Sequence, residues 1–87
     1  MTTYNFYSDA GHGWLKVPKG KLAQLNIADK ITSYSYMKGN FAYLEEDCDL
    51  STFIEALKAK GLEFKYTSHN HPDYSPIRQY NHYEGSV

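Results

Sequence analysis

Cysteine is nearly absent from this chain. The single Cys48 excludes an internal disulfide and a four-cysteine zinc centre, and it makes a reducing compartment the easier setting. Arginine is equally scarce, with Arg78 alone beside eight lysines, and the net charge is -1. That balance argues against a duplex-DNA binder, which presents a basic stripe to the phosphates. Lys16, Lys19 and Lys21 cluster, but the acidic run at 45–49 offsets them. No basic-then-apolar leader opens the chain, and no apolar run approaches the roughly 20 residues of a membrane span. The expectation is a soluble intracellular protein with no membrane contact. A chain of 87 residues makes one small domain, 1–87, with a thin core, since at this size only about 60% of the unfolded surface is buried.

Aromatic residues are what the chain has in plenty. Nine tyrosines and four phenylalanines supply much of the area available for burial, with Tyr hydroxyls reaching the edge of the core. Tyr4, Phe6, Phe41, Tyr43, Phe64 and Tyr66 stand at strand-alternating positions and are expected mostly inside. Tyr74, Tyr80, Tyr83 and His82 are expected at the surface, where with Arg78 they make a mixed aromatic and cationic strip.

The most informative stretch is Phe41 to Gly61. Leu50, Phe53, Ile54 and Leu57 fall at i, i+3, i+4 and i+7, which places them on one face of a helix. Asp49 precedes them and is expected to cap the first-turn N–H groups. Gly61 follows Lys58 and Lys60 and suits a left-handed helix end. Upstream, Phe41–Glu45 alternates as a strand, and Lys38-Gly39-Asn40 pairs it with Ile31–Met37 as a hairpin.

Elsewhere, Thr3–Ser8 and Trp14–Val17 read as strands around the turn Asp9-Ala10-Gly11-His12-Gly13. Pro18 suits a helix start, Leu22 and Leu25 give a short apolar stripe, and Asn26 suits its end. Leu62–Thr67 reads as a half-exposed strand, Ser68–Pro76 as a loop, Ile77–Tyr83 as a last strand and Glu84–Val87 as a frayed end. The order is ββαββαββ. The predicted fold class is α+β, a two-layer sandwich of a mainly antiparallel sheet with both helices on one face.

Three constellations carry candidate chemistry. Asp9, His12 and Trp14 lie in a Gly-containing loop where an imidazole can act as acid or base; the competing reading is a tight turn whose glycines take positive φ and whose Asp9 bonds its own turn amides. His69 and His71 point the same way in an extended loop and give a weak two-ligand metal signal that His12, His82 or Cys48 could complete. Glu45, Glu46 and Asp47 form an acidic patch able to mimic phosphates; the competing reading is a solvated face at a helix start.

The segments YSDAGHGWLKVP (7–18), SYSY (33–36), YLEEDCDLS (43–51) and IRQY (77–80) resemble a family of short phage and prophage proteins that carry no established chemistry. The resemblance covers most of the chain and is strongest in its first half. It implies a bacterial cytoplasmic setting and an accessory role in infection, and it gives no residue a catalytic part.

Together these readings predict a non-enzymatic phage accessory protein that binds and modulates a host protein or complex, with inhibition of a bacterial defence or nucleic-acid-processing complex as the specific version. It would act in the cytoplasm of the bacterial host, as a monomer or homodimer, with no cofactor. The candidate contact residues are Asp9, His12, Trp14, Tyr74, Arg78, Tyr80, His82 and Tyr83. Two alternatives stay open: a small nucleotide-binding or ligand-binding protein or enzyme using Asp9, His12, His69 and His71, and a virion component.

Overall fold

Alternation and turn chemistry produce most of the elements. In the computed structural model, which describes residues 3–85, β1 (Thr3–Ser8) and β2 (Gly13–Pro18) form a hairpin. Helix α1 (Lys19–Gln24) follows, then a single 3₁₀ turn at Ala28–Lys30. A second hairpin, β3 (Tyr36–Lys38) and β4 (Phe41–Glu45), turns through Gly39 at φ 60°. Helix α2 (Leu50–Ala59) leads to β5 (Lys65–Asn70), a 3₁₀ turn at Pro76–Gln79 and the short β6 (Asn81–His82).

Both helices end in the same way. Asn26 (φ 59°) and Gly61 (φ 70°) take the left-handed conformation. The Ile27 amide then bonds the Leu22 carbonyl, and the Leu62 amide the Leu57 carbonyl. With the bonds from Asn26 to Ala23 and Gly61 to Lys58, each end is a Schellman motif that satisfies the last free carbonyls.

The six strands form one mixed sheet in the order β5-β1-β2-β4-β3-β6. Four neighbouring pairs are antiparallel; β1 and β5 run parallel, because α2 carries the chain back before β5 begins. Leu22 from α1 and Phe53 and Leu57 from α2 share one buried cluster with Tyr4, Leu15, Val17, Ala42 and Leu44. The alternate positions Trp14 and Tyr43 belong to a second cluster with Ile77, against which Tyr7, Tyr36, Phe41 and Tyr80 pack. Strand alternation therefore separates a helix-covered face from an aromatic one.

Several expectations are corrected. The first strand of the second hairpin is three residues long, because Thr32 and Ser35 instead bond the Asp49 carboxylate. Asp49 is thereby fully buried, and although it stands at the N-cap its side chain bonds no helix amide. The strand expected at Leu62–Thr67 lies at Lys65–Asn70, and Tyr66 is 55% exposed because β5 is an edge. The last strand shrinks to two residues, since Pro76 and the Ser75 hydroxyl, which accepts from the Ile77 amide, start a 3₁₀ turn. Neither Gly11 nor Gly13 has positive φ. Gly13 is required for space, as a Cβ there would lie 2.3 Å from the Phe6 ring. Of the end expected to fray, Gly85 packs on the Ala28 carbonyl, and Ser86 and Val87 lie outside the described residues.

Candidate functional site

Outer strands β5 and β6 are consecutive in the chain but stand at opposite edges of the sheet. Residues 71–80 must therefore cross its width, and Ile77 and Tyr80 pack against Trp14 and Tyr43 on the aromatic face. This strap is pinned near its middle. The buried Asp9 carboxylate accepts from the amides of Gly11 and His12 in its own turn, from the Ser75 amide, and from Arg78 Nε and Nη2 at 2.7 and 2.9 Å. Five donors on one carboxylate, with Arg78 foremost, hold its pKa well below the usual carboxylate range despite burial. The guanidinium also lies 5.5 Å from the Trp14 ring centre and 4.8 Å from that of Tyr74.

The strap divides the aromatic face into two cavities. The larger, about 450 Å³, is walled by Tyr7, Tyr43, Pro76, Ile77 and Tyr80, with Lys16, His69, Asn70 and His71 also on its lining. Tyr43 and Tyr80 have ring centres 5.1 Å apart, and His69 stacks on Tyr7 at the same spacing. The smaller, about 320 Å³, lies between His12, Trp14, Tyr34, Tyr36, Glu45 and Arg78. In it His12 Nδ1 stands 3.5 Å from the buried Glu45 carboxylate, whose other oxygen accepts from the Asp47 amide.

Partial desolvation, then the hydrogen bond and negative charge of Glu45, push the neighbouring Cys48 thiol above its ordinary value. A thiol held protonated is the opposite of an activated nucleophile. Ser8 bonds Asn70 and Ser75 serves as a cap, so neither hydroxyl is paired with the imidazole of His12.

The candidate residues separate into three groups. Asp9, Trp14 and Tyr83 are buried, at 8%, 2% and 5% exposure, which corrects the expectation of Tyr83 at the surface; Trp14 forms part of the wall of the smaller cavity. The strap covers Trp14, whose Nε1 has no hydrogen-bond partner, and Tyr83 turns inward to donate its hydroxyl to the Ala28 carbonyl. His12, Tyr74 and His82 are exposed, with His82 stacked on Tyr36 and its Nδ1 bonded to the Ser33 carbonyl. Arg78 and Tyr80 are half-buried, and Lys38 Nζ lies 4.8 Å from the Tyr80 ring centre.

The acidic patch is also divided. Glu45 is buried, while Glu46 and Asp47 are exposed and line different cavities. His69 and His71 line the larger cavity together; His69 Nε2 bonds Asn5 Oδ1, and His71 Nδ1 accepts from the Asp73 amide. Among the described residues no three His, Cys, Asp or Glu side chains come close enough to hold a metal ion. No helix among them is long and apolar enough to cross a membrane.

Sequence reasoning passed over Tyr7, Lys16, Tyr43 and Ile77 as site residues. The signal was present in the alternation, since Tyr7, Lys16 and Tyr43 occupy the positions opposite to Phe6, Leu15 and Leu44. Compared with protein-family models, with curated proteins and with solved structures, the chain matches none of them.

Proposed function

We propose that the chain is a phage-encoded accessory protein that binds and inhibits a host protein, a bacterial defence complex in the specific version, and that the host protein docks along β5. The frame for this reading is a two-layer sandwich with both helices on one side, which leaves the sheet edges open. The observation that carries it is β5 itself: six residues, all exposed, paired with β1 on one side and at the edge of the sheet on the other.

Such an edge offers a partner strand a row of N–H and C=O groups. Because the His71 amide donates to the Ser8 carbonyl, alternation turns the backbone groups of Tyr66, Ser68 and Asn70 outward. Apolar anchors lie beside them. Leu62 and Tyr66 are 43% and 55% exposed, and a groove runs between Phe6, Leu50, Ile54 and Phe64. Main-chain pairing with adjoining side-chain pockets is how strand addition combines affinity with specificity. The resemblance in segments 7–18 and 43–51 supports the phage origin and the cytoplasm of the bacterial host as the setting.

The test is phage challenge of bacteria that carry single defence systems and express the chain. Plaquing restored on one system by the wild type and lost with Ser68→Pro or Tyr66→Lys supports the reading. Proline at that edge position removes an outward N–H without touching the β1 ladder. Unchanged resistance on every system, or full activity of both folded variants, overturns it.

A further inference from the structure

The larger cavity on the aromatic face has a chemical bias that the strand-edge reading does not use. Its walls are planar and apolar: Tyr7, Tyr43, Tyr80, Pro76 and Ile77. Its volume of about 450 Å³ lies within the range of small-molecule sites. No Asp or Glu is among its lining residues, whereas Lys16 is. The Lys16 ammonium lies 4.2 Å from the Phe41 ring centre and forms no salt bridge among the described residues, where the two ion pairs are His12 with Glu45 and Arg78 with Asp9.

Two of the other polar groups there are left as donors. Asn70 Oδ1 already accepts from the Ser8 hydroxyl, which leaves the Asn70 amide N–H groups free. His71 accepts from the Asp73 amide at Nδ1, so its neutral ring carries its proton on Nε2. A cation and two donors beside aromatic walls, with no carboxylate, match a ligand that joins a flat ring to an anionic oxygen cluster.

We infer that this cavity binds a nucleoside monophosphate unit, with the base against the tyrosine walls and the phosphate on Lys16, Asn70 and His71. Base stacking on an aromatic side chain and a charge-assisted phosphate contact are each strong enough to matter at such a site. The same unit is offered by a free mononucleotide and by the 5′ end of a single strand. His69 and Asn70 of β5 line the cavity, but Tyr66 and Ser68, the residues that test docking at β5, do not, so the two readings are tested by different variants.

Calorimetric titration with AMP, UMP, adenosine, inorganic phosphate and a 5′-phosphorylated tetranucleotide tests it. Saturable binding of a mononucleotide or the tetranucleotide is expected, with the tighter of the two identifying the source. Adenosine and phosphate alone should each bind about tenfold or more weaker, as should the best ligand to Lys16→Gln, while Lys16→Arg keeps binding. Tyr80→Ala should weaken every ring-bearing ligand and leave phosphate unaffected. The proposal is overturned if neither phosphorylated ligand binds the folded wild type, or if Lys16→Gln, folded by circular dichroism, binds as tightly as the wild type.

Discussion

Arg78 holds the Asp9 carboxylate in a two-point fork, Nε against Oδ2 at 2.7 Å and Nη2 against Oδ1 at 2.9 Å. This ties the strap to the turn of the first hairpin, residues 69 apart in sequence. Lysine could not make the same contact, because only a guanidinium presents two parallel N–H groups to a carboxylate.

Asp9→Ala removes the acceptor of five donors at once, and a loss of about 1–3 kcal/mol is expected from the turn and strap amides left without a partner. Urea denaturation followed by far-UV circular dichroism measures it. The pH dependence has a fixed sign. Because the folded-state pKa of Asp9 is depressed, its contribution is complete above the unfolded value of about 3.9 and fades as pH falls below it. The stability gap between wild type and Asp9→Asn should therefore be constant from neutral pH to about pH 5 and narrow below about pH 4.

Asp49 bonds Thr32 and Ser35, 17 and 14 residues away, and no amide of α2. Serine is as good an N-cap as aspartate, so a capping role predicts that Asp49→Ser is harmless. The contacts observed predict a loss of about 1–3 kcal/mol for both Asp49→Ser and Asp49→Ala, mainly from the buried Ser35 hydroxyl left without an acceptor. Equal stability of Asp49→Ser and wild type in thermal melts would contradict this.

A Cβ at Gly13 would meet the tip of the Phe6 ring, so Gly13→Ala should cost about 1–3 kcal/mol by overpacking. Shortening the obstacle should return part of it. In a double-mutant cycle, Phe6→Leu and Gly13→Ala are expected to be less harmful together than the sum of their separate costs.

Asn26 ends α1 at φ 59°. Asn26→Ala should cost about 1 kcal/mol, since a Cβ without a compensating amide is strained there. Asn26→Gly should be close to neutral, because easier left-handed geometry offsets greater chain entropy. Chemical denaturation of the pair separates backbone strain from loss of the side chain.

Local signals made the elements readable. The spacing of Leu50, Phe53, Ile54 and Leu57 and the glycine at 61 marked α2 and its end, and alternation marked β1 and β4. What was hidden depends on distant partners. Asp49 looks like a cap until Thr32 and Ser35 are placed beside it. Trp14 looks like an exposed loop-end residue until the strap packs over it and leaves it on the wall of the smaller cavity. Asp9 looks like loop chemistry until Arg78 reaches it from the other end of the chain. One hint was available: a lone arginine in a lysine-rich chain points to a role that needs a planar fork.

The two edges of the sheet differ in kind. β5 is long and open, whereas β6 is two residues long and followed by Gly85 tucked against Ala28. A protein with two usable edges can add copies head to tail without limit and form fibres. Here a strand added at β5 would leave only the two residues of β6 as the opposite edge, too short to continue such growth. Blunting one edge lets this sheet keep the other exposed without becoming a seed for aggregation.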